Sequence, residues 1–217
     1  MPEKSERILV LPFKHGPFWN FSYLVACTVT RQAVIIDPAW DVANVLAAAR
    51  DHELDVTTVF LTHGHSDHSH GVSEVVAQLG ASVIAHESEV PEIRRTYAGA
   101  VESASGRDTL RFGEARARVL YTPGHTTGSL SLLVAGQLFT GDALHVGALG
   151  RSGHAPDAME QLWTTVNTVL RVLPAETIVR PGHDAGPTPS STLAIERARL
   201  PALGASSFQE FVRSLHP

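Results

Sequence analysis

The spacing of apolar positions changes several times along the chain, and each change marks an element. RILVLPF (7–13), FSYLVACTV (21–29) and QAVIIDPA (32–39) are short β-rich runs that predict three strands, the last ending on the turn-forming pair Asp37-Pro38. In DVANVLAAARDHEL (41–54) the apolar residues recur at helical spacing, with Asp41 placed as N-cap. A strand over VTTVFLT (56–62), a helix over SHGVSEVVAQLG (69–80) closed by Gly80, and a strand over ASVIAH (81–86) follow. This alternation predicts a sheet with helices on its faces.

The second half is patterned differently. RARVLYT, SLSLLVA and QLFTGDA read as strands, with Gly136 at a tight turn between the last two. A helix over 157–173 (DAMEQLWTTVNTVLRVL), a strand TIVRP, the stretch GHDAGPTPSS and a short helical tail over 187–217 complete the chain. Two strand-rich halves with helices between them point to two packed sheets flanked by helices. The pattern alone does not separate that arrangement from a doubly wound sheet.

Composition narrows the setting. The 217 residues fit one large domain or two small ones, and 43% apolar with 18% charged residues is ordinary for a globular protein. With a net charge of −5 and scattered basic residues, neither a nucleic-acid stripe nor a membrane-binding face is expected. Cys27 is the single cysteine, which excludes an intramolecular disulfide and a cysteine-based zinc site. The N-terminus carries no secretory pattern and no run approaches a membrane span, so the cytoplasm is the default location.

LTHGHSDHSHGV (61–72) carries the chemistry. His63, His65, Asp67 and His68 follow directly on a strand, where α/β sheets place ligands. Spacing i, i+2 lets two side chains of a turning loop reach one point, and Asp67-His68 can reach a second. Imidazole with carboxylate suits zinc, iron or manganese. Three further strand ends repeat the pattern: YTPGHTTGS delivers His125, LFTGDA delivers Asp142 and VRPGHD delivers His183. One such junction means little, but four converge. His15, His52, His86, His145, His154 and His216 fit no ligand pattern and are expected on the surface or behind the ligands, and His70 is placed to cap a helix start.

THGHSDH, TPGHTTGS, FTGD, LGR and PGHD, in this order, resemble the metallo-β-lactamase superfamily, and most of all its glyoxalase II branch and the neighbouring persulfide dioxygenases. The resemblance covers the chain from about residue 20 onward. It implies a single αββα domain over 1–217, with two mixed sheets packed face to face, helices outside, and the metals at one edge. It implies that His63, His65 and His125 hold a first metal, that Asp67, His68 and His183 hold a second, and that Asp142 bridges both. Two divalent cations (zinc, iron or manganese) sharing a water can lower its pKa and present hydroxide to a polarised carbonyl. Asp67 would also orient that nucleophile, giving it a catalytic role. Thr62 and the threonines of TPGHT are placed to bond the ligating imidazoles.

The activity implied by the glyoxalase II resemblance is hydrolysis of a thioester such as S-D-lactoylglutathione. The partner is then a small thiol-derived molecule of the glutathione-conjugate type, with no nucleic acid and no membrane, and with a homodimer allowed. Arg151 is the only cation of GALGRSG and is a candidate substrate-carboxylate anchor, or else a structural partner of Asp37 or Asp184. Two departures weaken a full glutathione clamp: the loop after Asp142 lacks a tyrosine, and the stretch after His183 is short. The alternative is a persulfide dioxygenase with a single iron on His63, His125 and Asp142. The tail STLAIERARLPAL…FQEFVRSL resembles that family, while Leu-Gly-Arg stands where it carries Cys-Gly-Arg.

Overall fold

The computed structural model describes residues 7–215, and His216 lies outside them. The first sheet orders its strands as they occur in the chain: β1 (Ile8–His15), β2 (Asn20–Cys27), β3 (Gln32–Ile36), β4 (Asp55–Phe60), β5 (Ser82–Ala85) and β6 (Glu102–Ser103). β1–β2–β3 are antiparallel, and β3 to β6 are parallel. The parallel steps need crossovers, which α1 (Ala43–Asp51) supplies between β3 and β4, and α2 (Ser66–Ser69) with α3 (Val72–Leu79) between β4 and β5. α4 (Val90–Ile93) follows β5.

The second sheet comprises β7 (Thr109–Phe112), β8 (Ala115–Tyr121), β9 (Leu130–Val134), β10 (Gln137–Gly141), β13 (Ile178–Pro181) and β14 (Ser191–Thr192), antiparallel except where β10 meets β13. Between β10 and β13 lie a small hairpin, β11 (Leu144–His145) with β12 (Ala148–Leu149), and α5 (Ala158–Thr165), which widens into a π-helical turn over Val166–Leu170. α6 (Leu193–Arg199), α7 (Pro201–Gly204) and α8 (Phe208–Leu215) close the described chain.

Strand alternation explains why both sheets are apolar on two faces. On β2, Leu24 and Ala26 pack with Leu46 of α1 and Val75 of α3, while Tyr23 and Val25 point the other way and meet Leu132 and Phe139 of the second sheet. On β10, Phe139 faces that inter-sheet core, and Leu138 faces Leu162 of α5 and Phe211 of α8. Three apolar layers therefore separate four structural layers, which is the αββα sandwich of two mixed sheets. No helix among the described residues is long and apolar enough to cross a membrane.

The expected helix over 69–80 is broken. Ser66–Ser69 is a separate single turn and Val72–Leu79 is the helix proper, because the Gly71 N–H leaves the helix pattern to bond the Pro38 carbonyl at 2.8 Å, seating the break against the start of the first crossover, just after β3. His70 makes no cap bond; it is exposed and its ring lies against Trp40. Asp41 does not occupy the N-cap of α1, which is Val42, although its carboxylate accepts from the Ala43 N–H at 2.9 Å. Gly80 closes α3 in the left-handed region at φ 67, and Gly136 with Ala135 forms the tight β9–β10 turn.

Candidate metal centre

Four strands end at one edge of the sandwich, and each releases its chain into a short loop. β4 leads to His63, His65, Asp67 and His68, β8 to His125, β10 to Asp142 and β13 to His183. The loops are stitched across the sheets: the Leu130 N–H donates to the Thr62 carbonyl at 2.8 Å, and the Phe21 N–H to the Gly182 carbonyl at 2.8 Å.

The seven side chains meet there in two groups. His65 Nδ1 lies 3.0 Å from His63 Nε2 and 3.1 Å from His125 Nε2. His68 Nε2 lies 3.1 Å from His183 Nε2, and Asp67 Oδ2 stands 3.7 Å and 3.6 Å from those two atoms. Asp142 touches both groups: Oδ2 is 3.5 Å from His125 Nε2 and 3.3 Å from His183 Nε2, and Oδ1 is 3.5 Å from His68 Nε2. His63, His65 and His125 thus form one cluster that could hold a metal, and Asp67, His68 and His183 another.

The outward nitrogens of these rings are held by partners that fix the tautomers. The Thr62 hydroxyl gives its proton to Asp37 Oδ2 at 2.6 Å and so accepts from His63 Nδ1 at 3.0 Å. His68 Nδ1 donates to the same Asp37 oxygen at 3.1 Å, His125 Nδ1 to the Arg151 carbonyl at 3.1 Å, and His183 Nδ1 to the Phe18 carbonyl at 2.8 Å. In its neutral tautomer each of these rings leaves a lone pair on Nε2, aimed inward.

That arrangement is incomplete without a cation. With both rings neutral, His68 Nε2 and His183 Nε2 would face each other with two lone pairs at 3.1 Å. In the metal-free protein the surrounding carboxylates, Asp142 foremost, overcome the effect of burial, raise both rings and favour a proton between them. Asp142 Oδ1 is buried and has no hydrogen-bond partner. A buried carboxylate oxygen left this way calls for a partner, and the nitrogen and oxygen atoms around it suit an ion in that role. Nitrogen and oxygen donors in two groups of three with a shared carboxylate fit two divalent cations such as zinc or iron.

The ionisation states agree. Burial holds His63 well below the ordinary imidazole range, with the neighbouring His68 adding to the effect, and burial likewise depresses His65 and His145. Burial would depress His68 as well, but Asp142 and Asp37 raise it to about 9 in the metal-free protein. Burial alone would raise the Asp142 carboxyl, yet His68 and a hydrogen bond with His183 hold it well below the usual carboxylate range. In the metal-free protein the carboxylates therefore hold positive charge on the neighbouring histidines, His68 above all.

Three residues outside the sequence-based set complete the site. Asp37, 2% exposed, accepts from the Thr62 N–H at 2.7 Å as well as from Thr62 Oγ1 and His68. Asn20 accepts from Trp40 Nε1 at 2.9 Å, so its amide N–H₂ faces Asp67 Oδ2, also at 2.9 Å. His145 sets its ring 5.7 Å from that of His183. Asp37 stands at a strand end like the ligands themselves, a signal present in the sequence; Asn20 opens β2 and carries no such mark.

Other expectations need correction. The hydroxyls of the TPGHT threonines are engaged away from the candidate ligating rings: Thr122 pairs with Ser131 and Thr126 pairs with Ser129. Arg151 pairs with neither proposed carboxylate, since Asp37 is committed to Thr62 and His68, and Asp184 pairs with Lys14 at 3.1 Å. Among the described residues Arg151 enters no ion pair, and its exposed side chain lines a cleft of about 470 Å³ with His65, His125 and His154. His15 is buried, against Phe13, rather than at the surface.

Residues 16–183 match the metallo-beta-lactamase superfamily, a span that contains every ligand position named above. The chain belongs to the metallo-beta-lactamase superfamily. Within it, a hydroxyacylglutathione hydrolase of Nitrosococcus oceani is 36% identical over 171 residues, 76% of this chain and 62% of that protein. The chain thus spans less than two thirds of that relative's length. A probable polyketide biosynthesis zinc-dependent hydrolase of Bacillus subtilis, PksB, is 26% identical over 80% of this chain and 77% of its own length. The crystal structure of ETHE1 from Myxococcus xanthus superposes with a TM-score of 0.82 and 30% identity, covering 95% of this chain and 89% of the other. These neighbours fit the glyoxalase II-like branch close to the persulfide dioxygenases.

Proposed function

We propose that this member of the superfamily is a metal-dependent hydrolase of small thioesters of the S-D-lactoylglutathione type. One observation carries the reading: Asp142 stands between two donor triads with a buried oxygen that accepts no hydrogen bond among the described residues, an arrangement suited to a pair of cations rather than one.

Divalent cations held by the triads supply Lewis-acid polarisation of a carbonyl and bring water toward its deprotonated form near neutral pH. The chain's own groups do the rest. His65 and His125 belong both to the first triad and to the wall of the adjoining cleft, so a carbonyl at the cleft floor lies beside that triad. Asp67, its Oδ2 fixed by Asn20, offers an acceptor that orients an attacking water. The exposed Arg151 guanidinium is the only Arg or Lys among the cleft-lining residues and can receive a carboxylate of the thiol moiety through two parallel bonds. Few other charged contacts are offered, so little binding energy is available from remote parts of the substrate.

The names of the hydrolase relatives support this reading, and the test is direct. Zinc-loaded protein is assayed from pH 6 to 9 on S-D-lactoylglutathione and on small thioesters lacking the glutathione peptide. Turnover of both, with a weak KM for the glutathione substrate and a rate rising through neutral pH, is expected. Inactivity on every thioester, together with oxygen uptake on glutathione persulfide at one iron per chain, would replace this reading with the mono-iron dioxygenase.

A further inference from the structure

Glu89 is a buried carboxylate that belongs to neither triad. It is 4% exposed and ends a short turn, Glu87–Glu89, between β5 and α4. No cation pairs with it among the described residues, and a buried charge persists only where hydrogen bonds compensate for lost water. Its two oxygens are taken by two different loops. Oε2 accepts from the Gly64 N–H at 2.8 Å, and Oε1 accepts from the Gly128 N–H at 2.8 Å.

The positions of those two donors give the contact its meaning. Gly64 sits between His63 and His65 on the loop leaving the first sheet, and Gly128 follows His125 on the loop between β8 and β9 of the second. One side chain from a third segment therefore spans the two loops whose rings approach to 3.1 Å at His65 and His125. The local sequence is cut to fit it. A Cβ on Gly128 would stand 2.6 Å from Glu89 Oε1, and a Cβ on Gly64 would stand 2.9 Å from the Glu89 carbonyl oxygen. The Glu89 segment is itself braced: the His86 ring stacks on Tyr121 at 5.3 Å, and the Tyr121 hydroxyl donates to the Thr127 carbonyl at 2.7 Å.

We propose that Glu89 is a positioning residue that sets the spacing of His63 and His65 against His125, and thereby the affinity of the first triad for its cation. A carboxylate is required because two N–H groups must be accepted at once. A glutamine keeps the bulk but turns an N–H₂ toward one of the loops, freeing that loop. The inference rests on the metal reading of the site and not on the choice of substrate.

The test is a cobalt(II) titration of metal-stripped wild-type protein, Glu89→Gln and Gly128→Ala, read by the visible ligand-field bands and by competition with a chelator. Gly128→Ala attacks the same contact from the opposite side without removing the carboxylate. Both variants are expected to bind the tighter-held first cobalt about 10- to 100-fold more weakly, in line with loss of a group that orients ligands, and to show shifted bands for that ion. Unaltered affinity and spectrum in a folded variant would overturn the proposal, even if its thermal midpoint fell, because a merely structural residue would give that result. Wild-type protein that binds no cobalt would instead refute the metal reading itself. If neither variant folds, amide exchange on the wild-type protein decides. Slow exchange at both Gly64 and Gly128 supports the clamp, and fast exchange at either one overturns it.

Discussion

Asp37 holds His68 from behind: His68 Nδ1 donates to Asp37 Oδ2 at 3.1 Å, and the same carboxylate takes the Thr62 hydroxyl and N–H. Three donors on one buried carboxylate tie β3 to the ligand loop after β4. Asp37 has a positive φ of 47°, a region that asparagine also tolerates. Asp37→Asn therefore leaves the backbone alone and places an N–H₂ against one of the donors. We expect second-triad metal affinity to fall about 10- to 100-fold and stability to fall by about 2–3 kcal/mol. Metal titration and denaturant unfolding measure the two effects separately.

Asp142 contacts atoms of both groups, so its replacement should disturb both cations at once. Asp142→Asn is expected to lower bound metal from two ions to one or fewer per chain and to reduce kcat/KM on the order of 100-fold or more. His65→Ala removes a donor from the first group alone, so its metal loss should stop at one ion. Elemental analysis of dialysed protein checks both; retention of two ions in Asp142→Asn would contradict the bridging placement.

Protons and cations compete for His68. Its pKa in the metal-free protein is raised to about 9, so at neutral pH the ring is protonated and a cation entering the second triad must displace that proton. Metal affinity should rise with pH and level off near 9, with proton release visible as a buffer-dependent heat in calorimetry. The linked stability has the opposite sign. Because the folded pKa lies above the unfolded value near 6.5, this group's contribution to metal-free stability is full below about 6.5 and is lost as pH rises toward 9. Melts of the stripped protein between pH 6 and 9 test that slope.

Arg151 offers its side chain to the cleft and its carbonyl to His125, so substitution of the side chain leaves the metal contact in place. Arg151→Lys keeps the charge but loses the planar fork. KM for S-D-lactoylglutathione should rise about 10-fold with kcat unchanged. An unchanged KM would remove Arg151 from substrate recognition.

The candidate ligands, His63 through His183, were legible in the sequence because each sits at a strand end in a motif with few other uses, and their division into two groups followed from the family resemblance. The residues that hold those ligands were less legible. Asp37 read as a turn former because Asp-Pro is a common turn pair, and only the return of β4 alongside β3 brings Thr62 and His68 to it. Glu89 sits in ESEVPEI, where an acidic residue reads as a solvated helix start; its two partners lie 25 and 39 positions away. The break at Gly71 was hidden for the same reason, since the competing acceptor, the Pro38 carbonyl, is remote in sequence. Strands such as β6, β12 and β14 are two residues long and exist through pairing, leaving no periodicity to read.

The donor groups draw on both sheets, with His63 to His68 supplied after β4 of the first and His125, Asp142 and His183 from the second. Cations held by these groups would therefore act as cross-links that close a chain loop of more than a hundred residues at one rim of the sandwich. Removing them leaves the inter-sheet apolar layer intact but unfastens that rim, so chelation should raise amide exchange in the loops after β4, β8, β10 and β13 well before it lowers protection in β2 or β9. The catalytic edge is then also the part of the fold whose rigidity depends on metal supply.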